Sequence, residues 1–148
     1  MESMFSKEAC YIAENLGRSL FEKLLKQQGV TQYGFSEYQF EVYDAWYVIN
    51  GKKYIAEIKT RALKYSYYDD MLIEKSKYDA VVSTAEKFGA TPLYVNVYEG
   101  SRKVKIANLN NVQPEWSKES HQRTQLGSQQ PIEKIVSYLK EFHTYILN

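Results

Sequence analysis

The spacing of apolar residues changes along this chain, and each change predicts an element. Phe5, Ala9, Ile12, Ala13, Leu16, Leu20 and Leu24 recur at helical intervals and predict a helix from Ser6 to Gln28. Gly29 follows as its C-terminal cap. Residues 32–42 are rich in tyrosine and alternate weakly, which predicts a strand near Phe35–Val42. Two β-prone runs, Tyr43–Ile49 and Lys52–Thr60, then flank Asn50-Gly51. Asn-Gly is the preferred pair for a type I′ hairpin turn, because both central residues need positive φ. With a two-residue loop Ile49 pairs with Lys52, paired numbers sum to 101, and Asp44 falls opposite Glu57.

Residues 61–75 keep neither period. Tyr65-Ser66-Tyr67-Tyr68-Asp69-Asp70 reads as a loop with a short helical turn after it. Ser76-Lys77-Tyr78-Asp79 has the form of a capping box. Behind it Tyr78, Val81, Val82, Ala85 and Phe88 form a second helical stripe that ends at Gly89. Thr91–Tyr98 and Lys103–Asn108 read as strands joined by Glu99-Gly100-Ser101. Residues 110–130 are polar and irregular. Pro131 opens a last segment in which Ile132, Ile135, Val136, Leu139, Phe142 and Ile146 fit a helix; a short strand at Lys134–Leu139 is the alternative. The order helix, three strands, helix, two strands predicts an α/β layer architecture with a mixed sheet. A single domain of 1–148 is expected, with its core at about 6–108 and a C-terminal extension at 109–148.

Composition narrows the picture. Hydrophobic residues make up 44% and charged residues 25% of 148, which predicts a folded domain rather than a disordered chain. A net charge of +1 leaves room for a local basic patch. One cysteine, Cys10, excludes an internal disulfide and a cysteine-based zinc site, and fits a reducing, cytoplasmic setting. No apolar run approaches the roughly 20 residues of a membrane span, and Met1–Phe5 lacks the form of a signal peptide. The 14 tyrosines suit strands and rims, and also base stacking.

The chemistry lies in the hairpin. Side chains alternate faces along a strand, so Lys59 joins Glu57 on one face, with Asp44 across from it. Two like charges directly opposed are destabilising, and a divalent cation would relieve them. Phosphodiester hydrolysis needs an activated water and stabilisation of charge on the phosphoryl and leaving oxygens, which Mg²⁺ on hard oxygen ligands supplies. Asp44, Glu57 and the Ile58 carbonyl would be the metal ligands. Lys59 would orient or help deprotonate the water. Two solvated carboxylates bridged by Lys59 as a structural ion pair are the plainer reading. Arg61 and Lys64 follow on the chain and could grip a DNA backbone. Arg102, Lys103 and Lys105 cluster on one strand, where lysine commonly blocks edge pairing. His121 and His143 have no metal-ligand spacing.

The whole pattern resembles the PD-(D/E)XK nuclease superfamily. A helix, strands, Asp44, a gap, then Glu57-Ile58-Lys59-Thr60-Arg61, a helix and a strand carry the resemblance over about residues 8–108. Glu-x-Lys-Thr-Arg is similar to the run found in Holliday-junction-resolvase-type nucleases. Tyr43 stands where the superfamily's name records a proline. The resemblance implies a restriction-endonuclease-like three-layer core, a mixed β-sheet flanked by helices, and a Mg²⁺-dependent deoxyribonuclease, with Mn²⁺ as a substitute ion. It implies a further metal-ligating acid on the first helix: Glu14, with Glu8 and Glu22 as alternatives. It also implies that Lys77, or Lys75, reaches phosphate near a helix N-terminus. No base-reading motif is visible, so structure- or end-specific cutting is expected. DNA is the expected partner, RNA stays open, and so does a homodimer. The alternative is a non-catalytic nucleic-acid-binding or assembly module on the same fold.

Overall fold

The computed structural model describes residues 7–37, 42–122 and 131–148, with side chains for 11–37, 42–121 and 132–148. Helix α1, Lys7–Gln27, leads into β1, Gln32–Phe35. The hairpin follows as β2, Ala45–Ile49, and β3, Lys52–Arg61. Its turn has Asn50 at φ 51° and Gly51 at φ 78°, the left-handed pair a type I′ turn requires. The ladder keeps the sum of 101 from Ile49–Lys52 to Ala45–Ala56. A 3₁₀ turn, Leu63–Tyr67, precedes β4, Met71–Glu74. Helix α2, Lys75–Phe88, carries the chain to β5, Thr91–Tyr98, and β6, Lys103–Asn108. Strands β7, Ser117–Gln122, β8, Pro131–Leu139, and β9, His143–Ile146, complete the order.

Six strands form the main sheet in the order β1-β2-β3-β5-β6-β9. Among the described residues only β3 and β5 run parallel in it, and α2 lies on the crossover between them. All eight residues of β5 are buried, as expected of a strand covered on both faces. One face packs on α1: Phe21, Leu24 and Leu25 meet Ala56, Ile58, Val95 and Val97. The other face, with Ile55, Tyr94 and Ala107, packs on Val81 and Ala85 of α2 and on Met71, Ile73 and Leu139 of a small sheet, β4-β8-β7. Burying each large side chain contributes about 1.5–3 kcal/mol, so these two clusters hold the layers together. A mixed sheet with α1 on one face and α2 with the small sheet on the other is what the chain forms.

The helix stripe is rotated from its expected position. Ile12 is exposed, whereas Gly17, Phe21 and Leu25 turn inward. Gly17 explains the rotation. A Cβ there would lie 2.8 Å from Thr60 Oγ1 and 3.1 Å from Ile58 Cγ2, so only glycine lets α1 approach β3 so closely. Thr60 Oγ1 donates to the Ala13 carbonyl at 2.7 Å and fixes the crossing.

Several expected elements differ. The first strand is Gln32–Phe35, and most of the expected 35–42 stretch lies outside the described residues or is not strand. The capping box does not form: α2 begins at Lys75 after Glu74, and Asp79 pairs with Lys75 rather than with a backbone amide. The expected loop at 65–70 holds most of the 3₁₀ turn, and Met71–Glu74 is a strand rather than a helical turn. The C-terminal segment is two strands rather than a helix. Pairing of β8 with β4 and β7, and of β9 with β6, overrides the helical spacing of its apolar residues.

Candidate active site

Asp44 sits where β2 leaves the ladder. Its amide donates to the carbonyl of Ala56 at 2.8 Å, although Ala56 is already the ladder partner of Ala45, so the strict opposition of Asp44 and Glu57 is broken by a local bulge. Its carboxylate instead takes the next position: Ile58 N–H donates to Asp44 Oδ2 at 2.7 Å. A residue's N–H and C=O point to the same strand edge, so the Ile58 carbonyl also faces this vacated side. The other Asp44 oxygen, Oδ1, lies 3.6 Å from Arg18 Nη2.

Glu57 and Lys59 project from β3 to the α2 face. Glu57 is only 6% exposed. Burial, reinforced by the facing charge of Asp44, pushes its carboxyl up to about 7, against the opposing pull of Lys77 and Lys59. Lys77 reaches over from the first turn of α2, with Nζ 3.5 Å from Glu57 Oε1. Lys59 is held below the ordinary ammonium range, first by burial and then by the positive charges of Lys77 and Arg61. A carboxyl raised and an ammonium lowered stand two residues apart on one face, the kind of perturbed pair that marks a candidate functional site.

The first helix supplies something other than the expected acid. Glu14 is largely exposed and 3.9 Å from Arg18, so it reaches Asp44 only through that arginine. Glu22 accepts from the Tyr33 hydroxyl at 2.7 Å, away from the pair. Glu8 has no described side chain. Among the described residues no group of three or more Asp, Glu, His or Cys is placed to hold an ion. Arg18, which the sequence reading passed over, is tied to the Ser36 carbonyl at 2.9 Å and Ser36 Oγ at 3.0 Å. Its role was not visible locally: Arg18 meets Asp44 and Ser36 only because Gly17 lets α1 approach β3.

The expected DNA contacts divide. Arg61 turns inward: Nη2 donates to the Leu72 carbonyl at 3.0 Å and to Tyr94 Oη at 2.9 Å, and Tyr94 Oη also donates to Leu72 O at 2.8 Å. That cluster clamps β4 onto the main sheet, so Arg61 serves the fold where a backbone grip was expected. Lys64 is exposed beside the Tyr65 ring, 5.0 Å from its centroid. Lys75 is paired with Asp79 at 2.7 Å. Lys105 is not an edge lysine, because β9 covers β6; its ammonium donates to the Tyr68 carbonyl between the Tyr98 and Phe142 rings.

Asp44, Glu57 and the Ile58 carbonyl fit a hard divalent ion. Mg²⁺ is commonly held by one or two carboxylates and completes its shell with water and substrate oxygens, so a third protein acid is not required. The buried Glu57 and the partly exposed Asp44, which repel each other, fit that role; Arg18 and Lys77 offset part of their charge.

Among solved structures, a Holliday junction resolvase from the archaeal hyperthermophile Archaeoglobus fulgidus is similar at 10% identity, over 82% of this chain and 83% of that chain, with a TM-score of 0.47. No family model matches the chain, and no curated protein does. No helix among the described residues is long and apolar enough to cross a membrane.

Proposed function

We propose that this protein is a divalent-metal-dependent nuclease that hydrolyses DNA phosphodiester bonds, with structure- or end-specific cutting. The observation that carries the reading is the pairing of a buried Glu57 with Asp44 at a vacated strand edge, with Lys59 on the same strand. Glu57, Asp44 and the Ile58 carbonyl would hold Mg²⁺, or Mn²⁺ in its place. The ion supplies Lewis-acid stabilisation of phosphoryl and leaving oxygens and lowers the pKa of bound water. Glu57 must give up its proton to serve as a ligand. Lys59 orients the attacking water and, with its lowered pKa, takes part in its deprotonation. Lys77 leaves Glu57 for the phosphate, and the start of α2 adds its dipole. Lys77 beside Glu57 and the exposed Lys64 position the backbone rather than read bases.

Arg18 favours a second reading. A guanidinium already beside Asp44 competes with a cation there, as in a nucleic-acid-binding module that has lost catalysis. Calorimetric titration separates the two. Wild type should bind Mg²⁺ or Mn²⁺, and Asp44→Ala should not. Equal binding, or none in either protein, rules out the metal site.

A further inference from the structure

Strands β4, β8 and β7 place a second charged wall beside the strip of Glu57, Lys59 and Arg61. Ladder partners and alternate residues share a face of a sheet. Glu74 pairs with Val136, Leu72 with Tyr138 and Lys134 with Glu119, so Leu72, Glu74, Lys134 and Tyr138 stand on one face of the small sheet. Its other face carries Met71, Ile73 and Leu139 into the core. The first face looks onto the main sheet: Leu72 and Tyr138 line one cavity with Arg61, and Arg61 Nη2 donates to the Leu72 carbonyl at 3.0 Å. Two residues along β4 from Leu72, Glu74 ends the strand and directly precedes α2, whose first turn holds Lys77 against Glu57.

Lys134 faces this cleft from β8. Its Nζ lies 2.7 Å from Glu74 Oε1, with the lysine side chain 34% and the glutamate side chain 33% exposed. Burial pushes the Glu74 carboxyl up, but the hydrogen bond from Lys134 and the charges of Lys134, Lys59 and Lys77 outweigh it and hold the carboxyl below its ordinary range. Glu74 therefore senses the two lysines of the site as well as its own partner. Three ammonium groups, Lys59, Lys77 and Lys134, surround two carboxylates, Glu57 and Glu74. Glu119, the cross-strand neighbour of Lys134, is engaged elsewhere: its Oε1 accepts from the Tyr138 hydroxyl at 2.6 Å and meets His121 Nε2 at 3.0 Å. A partly exposed ion pair contributes little to stability, so the fold does not require the Lys134–Glu74 pair. A phosphate oxygen accepts from an ammonium as a carboxylate does, so a strand entering the cleft can take Lys134 from Glu74.

We propose that Lys134 is a DNA-binding residue that takes a backbone phosphate near the scissile one, from the wall of the cleft that faces Lys59, with Glu74 holding it in place until the strand arrives. The inference rests on the nuclease reading for its substrate and deepens it: the C-terminal strands close the second side of the substrate cleft. A phosphate is the same at every base, so this contact fixes where the strand lies and carries no sequence information.

The test is the salt dependence of DNA binding in EDTA, where nothing is cut. Fluorescence anisotropy of a labelled DNA with duplex and single-stranded arms is read between about 50 and 200 mM salt. Each phosphate contact adds about 0.7–0.9 to the slope of log affinity against log salt. Lys134→Ala, and Lys134→Gln with most of the stem kept, should bind more weakly and lose about one contact from the slope, so that their deficit shrinks about threefold across this range. Lys134→Arg should restore the wild-type slope. Lys118→Ala, beside Ile135 on the opposite face of the same sheet, should match wild type. Melting temperature should hardly change in any of them. An unchanged slope in the Lys134 variants, a loss that Lys134→Arg does not restore, an equal loss in Lys118→Ala, or no DNA binding by wild type overturns the assignment. An unchanged slope with a lowered melting point that Glu74→Gln reproduces overturns it in favour of a structural ion pair. Cleavage with Mg²⁺ is scored separately. A slope that depends on Lys134 without cutting keeps the contact and rejects the nuclease; cutting with an unchanged slope does the reverse.

Discussion

Glu57→Gln in metal-free protein isolates the electrostatic tension at the site. The folded carboxyl titrates at about 7, against an ordinary value of 4.5. A raised carboxyl pKa means that the folded state binds the proton more tightly than the unfolded state. Its contribution is therefore fully present below pH 4.5 and is lost as pH rises through 7. At about 1.4 kcal/mol per pH unit, the loss amounts to roughly 3 kcal/mol by pH 8. A glutamine keeps the shape and does not titrate. The variant should thus gain on wild type between pH 5 and pH 8, by up to about 3 kcal/mol, while losing activity. Urea unfolding in EDTA at several pH values reads the difference directly. A variant that is less stable by several kcal/mol, equally at every pH, would refute the reasoning. It would mean that Glu57, Lys77 and Lys59 form a net-stabilising buried ion network, whose disruption costs about that much.

Gly17→Ala should cost about 1–3 kcal/mol, because the new methyl meets Thr60 Oγ1 at 2.8 Å and α1 must shift; thermal melting should fall by several degrees, and an unchanged melting point would deny the close approach. Divalent-ion binding should release a proton from Glu57, so affinity should rise about tenfold per pH unit below 7 and level off above it; calorimetry in buffers of different ionisation enthalpy counts the proton, and a flat profile contradicts the raised pKa.

The hairpin was the most legible part of the chain, because Asn50-Gly51 sets the turn and the turn sets the register. Both helices and the pair β5 and β6 were legible for a similar reason: periodic burial and a left-handed Gly89 cap are local signals. The bulge at Asp44 was not, since it depends on Asp44 reaching the Ile58 amide. The rotation of α1 was hidden because it is set by contact with Thr60, far along the sequence. At the C-terminus the choice between a helix and the alternative strand at Lys134–Leu139, which lies within β8, was hidden for the same kind of reason. Ile132, Ile135, Val136 and Leu139 carry a helical spacing, and only the partner strands β4, β7 and β6 decide otherwise. The nearness of Asp44 to Glu57, with Lys59 on the same strand, could be read from the strand pair. Arg18 could not, because its role needs α1 and the end of β2 side by side.

The central claim is that Lys59, beside two metal-binding carboxylates, drives phosphodiester cleavage. A panel of branched, overhanging, duplex and single-stranded DNAs, incubated with Mg²⁺ or Mn²⁺, tests it most directly. Wild type should cut at least one substrate. Lys59→Ala should bind the same DNA and metal but turn over at least a hundredfold more slowly, since a water-positioning group acts mostly in the transition state. Lys53→Ala, roughly 13 Å from Glu57 along β3, should cut nearly as well as wild type. Cleavage by Lys59→Ala at the wild-type rate, or no cleavage of any substrate by wild type, would contradict the account.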